Sequence, residues 1–144
     1  MIYIAADHRG FQLKETIKNW LAENNYQFED LGNTVLDPED DYVDFAGAAA
    51  LATTNNKENT TKCIVICGSG VGVSIVANKV AGVRCGLGFN LEQVKKARTH
   101  DDINCLALPA DFIGEEEALD IVSVFLKTEF DNEEKHRRRI EKIE

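Results

Sequence analysis

A three-layer α/β sandwich, with a five-stranded parallel sheet between two layers of helices, is the fold this sequence predicts. Strand-like and helix-like patterns alternate five times over 144 residues with short connections, an order that favours parallel strands joined by right-handed crossovers. The central apolar run, Cys63 to Ile66, is dense in β-branched residues, as a strand buried on both faces requires. That run turns through Gly68, Gly70 and Gly72 and enters an apolar helical pattern of Val73, Ile75, Val76, Ala77 and Val80.

In chain order, Met1 to Ala6 reads as a short apolar strand. Leu13, Ile17, Trp20 and Leu21 then repeat at helical spacing, marking an amphipathic helix that ends near Asn24 and Asn25. Gln27 to Leu31 is the second strand, closed by Gly32 and Asn33, and Leu36 to Asp41 is an acidic loop. Tyr42, Phe45, Ala49 and Ala52 mark an alanine-rich helix that gives way to an exposed loop over Thr53 to Thr61. After the central strand, turn and helix, Gly82 to Leu87 is a fourth strand. Leu91, Val94 and Ala97 mark a fourth helix, with the polar segment Arg98 to Asp102 following it. Ile103 to Leu108 is the fifth strand, and Ala118, Ile121, Val122 and Phe125 the fifth helix. From Asp131 onward the chain is charged and helix-prone.

Composition narrows the partners. A net charge of −9 and a pI near 4.8 argue against a nucleic-acid or anionic-membrane surface. No run approaches the roughly 18 apolar residues of a membrane span, and no basic leader precedes the first strand, so a cytoplasmic protein is expected. The whole chain, 1–144, reads as one domain. The four cysteines form no CxxC pair, and no His/Cys cluster has zinc-finger spacing. Cys63, Cys85 and Cys105 read as small buried hydrophobes, whereas Cys67 is followed at once by the glycine turn.

The chemistry is expected at that turn. A strand feeding glycines and then a helix leaves unpaired N–H groups at the positive end of a helix dipole, a site for an anion. The GxGxG spacing, with Val73 where a third glycine would fall, is not a dinucleotide fingerprint, and no Gly-Lys-Ser/Thr follows as in a P-loop. A helix N-terminus stabilises a neighbouring anion by about 1 kcal/mol, the direction a thiol needs to serve as a base. Asp7 and His8 also fall at a strand's carboxyl end, where ligands of open α/β sheets bind. His100 enters from the opposite end and would reach the site only across a subunit interface or by a wrapping segment. The tail cations Lys135, Arg137, Arg138 and Arg139 are the obvious source of positive charge for a phosphate.

Asp7-His8-Arg9-Gly10-Phe11, the run Cys67 to Arg84, the segment around His100 and the tail KHRRRIEKI together resemble the type B ribose-5-phosphate isomerases. That family also includes isomerases of allose and galactose 6-phosphates. The resemblance covers essentially the whole chain. It implies a Rossmann-like sandwich, a metal-independent enzyme of pentose phosphate metabolism, and a homodimer or dimer of dimers with active sites shared between subunits. The tail, about 131–144, would pack on the partner. The implied reaction interconverts ribose 5-phosphate and ribulose 5-phosphate by ring opening and a cis-enediolate.

Carried onto this sequence, Cys67 is the base; a second branch of the family places a glutamate where this chain has Val73. Ser69 and the backbone of Gly68, Gly70, Val71 and Gly72 would stabilise the enediolate. His100 would open the ring with help from Asp7. His8, Lys135 and Arg139 would hold the phosphate, Asp101 would face the sugar, and Asn78 and Lys79 would brace the loop. Three positions depart from the family: Asp101 where asparagine is common, Lys135 where an arginine is common, and Asp111 where an arginine often reaches across the dimer. A hexose 6-phosphate substrate, or a non-catalytic sugar-phosphate sensor, are the alternative readings.

Overall fold

The computed structural model describes residues 1–56 and 60–144. Its elements are β1 (Ile2–Ala6), α1 (Phe11–Glu23), β2 (Phe28–Asp30), α2 (Tyr42–Asn55), β3 (Lys62–Cys67), α3 (Val71–Asn78), β4 (Cys85–Leu87), α4 (Leu91–Asp101), β5 (Cys105–Pro109), α5 (Glu115–Lys127) and α6 (Glu134–Ile143). The strands form one parallel sheet in the order β2-β1-β3-β5-β4. The predicted α/β sandwich is the architecture observed.

The period-2 alternation of strand side chains divides the core into two unlike halves. Ile4, Ile64, Ile66, Leu106 and Leu108 face α1, α4 and α5, packing with Leu13, Ile17, Ile121 and Phe125. Each such side chain, fully buried, contributes about 1.5–3 kcal/mol. The other face carries smaller residues: Ala5, Cys63, Val65, Cys67, Cys105 and Ala107, against Ala46, Ala49 and Ala50 of α2 and Val73 and Ala77 of α3. Small residues let α2 and α3 approach the sheet closely, which sets the helix after β3 directly behind the glycine turn. Cys63 and Cys85 both pair in register with Cys105, and none of the four cysteines is bridged. Cys63 and Cys105 are fully buried, and burial pushes the Cys105 thiol upward.

Of the boundaries that differ from the sequence expectation, four bear on the surroundings of the sheet's ends. α2 continues to Asn55, because the buried Thr53 hydroxyl donates to Ala49 O and needs no solvent; residues 57–59 of the expected loop lie outside the described residues. α3 stops at Asn78, whose amide donates to Cys85 O and accepts from Cys85 N. Asn78 therefore ties the C-terminal end of α3 to β4. β4 begins only at Cys85, after a turn in which Gly82 has φ 80°. α4 runs through Arg98 to Asp101, so His100 is helical. Arg98 caps that helix, its guanidinium donating to Asp102 Oδ1 at 2.7 Å and Ile103 O at 2.6 Å, and Asp102 ends it at φ 45°.

Candidate active site

From β1 the chain steps to one neighbour, β2, and then across to the other, β3, so the sheet's switch point lies between β1 and β3. Crevices at such points, outside the strands' carboxyl ends, are where open α/β sheets bind ligands. Asp7 immediately follows β1 and Cys67 ends β3, with the Asp7 amide donating to Ile66 O at 3.3 Å. Asp7, Cys67, Gly68, Ser69, Val71 and Gly72 line one cavity of about 550 Å3, together with Arg9, Tyr42, Ile75 and Asp111.

Cys67 is 5% exposed, and its sulfur accepts the Gly70 N–H at 3.1 Å. That bond depends on Gly70 standing at φ 71°, where an added Cβ would also meet Leu87 Cδ1 at 2.6 Å. Ser69 Oγ accepts the Val71 N–H at 3.2 Å, leaving its own O–H to donate outward. The first backbone bond of α3 joins Ser74 N to Gly70 O. Among the described residues, the Gly72 and Val73 amides are therefore the orphan donors of the helix N-terminus. A donor on the sulfur and further donors beside it form a turn built to hold negative charge.

Asp7 is also 5% exposed. Its Oδ1 accepts the Arg9 and Gly10 amides, both at 3.0 Å. Burial pushes its carboxyl above the ordinary value, against the pull of those amides and of His8. His8 stands beside the cavity, its Nδ1 2.7 Å from Asp40 Oδ1, and that carboxylate raises the imidazole's affinity for its second proton. An anionic group approaching His8 at neutral pH meets an imidazole biased toward its cation.

Two features of the cavity carried no signal in the sequence. Arg9 Nε and Nη2 donate to Asp111 Oδ2 at 2.9 and 2.6 Å, crossing from the end of β1 to the end of β5. The pair lies so close over Gly68 that an added Cβ would meet Asp111 Oδ2 at 2.5 Å. Asp111, one of the three departures noted in the sequence, thus has its cation within its own chain. Tyr42, the first residue of α2, lays its ring over Gly72, where an added Cβ would meet it at 2.8 Å. Residues separated by 102 positions meet only through the sheet order, and no local pattern announces them.

The remaining expected site residues lie elsewhere. His100 is at the C-terminal end of α4, near the start of β5, whereas Cys67 is level with Pro109 at the other end of that strand. The five residues of β5 separate the two levels by roughly 13 Å along the strand. Asp101 is exposed, its carbonyl accepting Arg84 Nε at 3.1 Å. Lys135 pairs with Glu133 at 2.8 Å, and Arg139 is exposed with no ion pair among the described residues. At this corner His136, a residue of the charged, helix-prone tail, is buried and stacked on His100 with ring centroids 4.4 Å apart. His100, Asp131 and His136 bring ligand atoms within 4.8 Å of one another. A borderline cation accepts two imidazoles and a carboxylate. The in-plane lone pairs of rings only 27° from parallel run side by side instead of converging, however, so the cluster is organised for stacking and hydrogen bonding.

A larger cavity, about 660 Å3, opens at the opposite end of the sheet around Lys62, Arg84 and Arg98. Its arginines are engaged with Asp102 and with backbone carbonyls at the end of α4, a structural duty.

The ribose/galactose isomerase family model matches residues 2–143. A probable ribose-5-phosphate isomerase B of Mycoplasma pneumoniae is 42% identical over 99% of this chain and 91% of its own length. The crystal structure of ribose-5-phosphate isomerase B from Mycoplasma genitalium with bound ribulose 5-phosphate superposes with a TM-score of 0.94. It is 41% identical, with 99% of this chain and 92% of that one covered. A ribose 5-phosphate isomerase of Thermotoga maritima is similar with a TM-score of 0.92 at 39% identity, over 99% of this chain and 95% of that one. No helix among the described residues is long and apolar enough to cross a membrane.

Proposed function

The chain belongs to the ribose/galactose isomerase family, and from that premise we propose that it interconverts ribose 5-phosphate and ribulose 5-phosphate with Cys67 as the base. The observation that carries this reading is the Cys67 sulfur, held by the Gly70 N–H at 3.1 Å in the cavity that Asp7 also lines.

The sequence of proton movements follows from the chemistry of the sugar. The furanose opens when the proton on the C1 hydroxyl leaves and the ring oxygen gains one. His100 is the residue for this exchange, and Asp7, protonated more readily than an exposed carboxyl, assists. Cys67 then takes the proton from C2. The electron pair moves toward O1 and forms a cis-enediolate, whose charge falls among the Ser69 hydroxyl and the Gly72 and Val73 amides. Return of the proton to C1, with the hydroxyl proton passing from O2 to O1, yields the ketose. His8 and the cations of α6, Arg139 and Lys135, are assigned to the phosphate, and Asp101 to a sugar hydroxyl.

One chain cannot bring its own His100 to its own Cys67 across roughly 13 Å of strand. The reading therefore requires the partner subunit's His100, in a homodimer or a dimer of dimers whose α6 helices close each other's sites. The enzyme works in the cytoplasm and without a metal. The test is conversion of ribose 5-phosphate by the purified protein in excess EDTA, with allose 6-phosphate in parallel. Turnover of the pentose, unchanged by chelation, is the expected result. Turnover of the hexose alone would transfer the reading to a hexose 6-phosphate, and silence on both would leave a sugar-phosphate sensor.

A further inference from the structure

The corner between α4 and α6 holds a buried histidine that the mechanism above does not use. His136 is 4% exposed, and its Nδ1 lies 2.8 and 2.9 Å from the two oxygens of Asp131. Its ring stacks on His100 at 4.4 Å and 27°. Asp131 is itself anchored: its amide donates to the carbonyl of Thr99, the residue before His100, at 3.1 Å, and its Oδ1 also accepts the Glu133 amide at 3.0 Å. Asp131 is held below the usual carboxylate range by the Glu133 amide first and by His136 second. It is therefore an anion at neutral pH, and the proton it engages sits on His136 Nδ1.

We propose that Asp131 and His136 are positioning residues for His100: Asp131 fixes the plane of the His136 ring, and that ring fixes the plane of His100. This rests on the reading that His100 opens the sugar ring. A side chain at the penultimate position of a helix has ample rotamer freedom. The task assigned to His100 tolerates little of it, because one imidazole must take a proton from the C1 hydroxyl and deliver one to the ring oxygen in a single pose. A flat, buried partner whose own plane is set by a bifurcated carboxylate contact removes that freedom without touching the sugar. Asp131 and His136 contact His100, to which ring opening is assigned, and not the thiol that moves the proton, so the pair bears on ring opening and not on proton transfer between C1 and C2.

The two steps are separable with an isotope. Ribulose 5-phosphate cannot close to a furanose, because its C5 oxygen is esterified. Exchange of its C1 hydrogen with D2O then requires only the enediolate step at Cys67, whereas conversion of ribose 5-phosphate requires ring opening as well. In the full-length protein, Asp131→Asn and His136→Leu are expected to lower kcat for ribose 5-phosphate at least tenfold. Exchange at C1 of ribulose 5-phosphate should stay within threefold of the unsubstituted enzyme. His136→Phe, which keeps a flat ring but no Nδ1 proton, should recover part of the loss. Equal losses in conversion and exchange would mean a merely structural role and would overturn the inference, as would unchanged conversion in both variants. Undiminished conversion by His100→Ala, or absence of both reactions in the unsubstituted protein, would overturn it together with the reading on which it rests.

Discussion

The molecule uses a histidine–aspartate pair twice, at opposite ends of its sheet, and the two pairs differ in what surrounds them. His8, beside the cavity, has a side chain 32% exposed and bonds Asp40 at 2.7 Å. His136, between α4 and α6, has a side chain 5% exposed and bonds Asp131 at 2.8 Å. At His8 the carboxylate biases an accessible ring toward its cation, which suits an anionic ligand. At His136 the ring is closed off and its open face is covered by His100, so the carboxylate sets orientation instead. The same two side chains make a charge in one place and a fixture in the other, and solvent access decides which.

The sharpest separation of the two ends comes from the thiol. Cys67→Ala is expected to lower turnover by about 10²–10⁴-fold, the usual contribution of a positioned base. Binding of a phosphorylated sugar acid should stay within about tenfold, since the cations assigned to the phosphate are untouched. Steady-state kinetics and calorimetry check both halves. Turnover unchanged in this variant would remove the chemistry from the strand ends altogether.

Gly70→Ala attacks the same end through the backbone. A side chain at φ 71°, driven against Leu87, is expected to cost about 1–3 kcal/mol of stability and to shift the amide that serves the sulfur. Urea unfolding measures the first effect and the rate of thiol alkylation the second.

The His8 pair makes a smaller, pH-dependent prediction with a definite sign. Asp40 raises the imidazole's pKa in the folded protein. The cation's contribution to phosphate binding and to folding is therefore complete below the ordinary imidazole value of about 6.5. It is lost as pH rises through the higher folded value. Asp40→Asn should move that loss to lower pH, raising KM for ribose 5-phosphate severalfold at neutral pH and little at pH 6. A KM profile indifferent to Asp40 would show that the pair holds the 33–40 loop and nothing more.

The smallest effect is expected at the far end. Lys135 is exposed and, among the described residues, pairs with Glu133. Lys135→Arg would add a planar fork for phosphate oxygens and should lower KM about two- to threefold, or leave it unchanged if Arg139 alone carries the contact. An increase in KM would mean that this face of α6 meets something other than phosphate.

The strand–helix alternation, the buried run of β3 and the glycine turn were legible because each is a pattern within a dozen neighbouring residues. Legibility failed where distant partners override local pattern. The polar segment Arg98 to Asp102 breaks the apolar repeat and reads as following the fourth helix, yet the helix runs on to Asp101. It does so because Arg98 finds Asp102, Ile103 and Thr128 as partners. His136 lies in a run of cations that reads as a solvated face. It is buried because Asp131 and His100 fold back onto it.

The amino-acid order alone determined the succession of elements, the turn that follows β3, and Cys67 as the residue placed to use it. Hydrophobic period, glycine spacing and helix polarity are properties of contiguous chain. Only the tertiary structure decided that β1 lies beside β3, which brings Asp7 to Cys67, and that Arg9 crosses Gly68 to reach Asp111. It alone placed His100 about one strand length from the thiol, on a buried histidine of the final helix. These are contacts between residues tens of positions apart, set by how sheet and helices pack, and packing is a property of the whole chain at once.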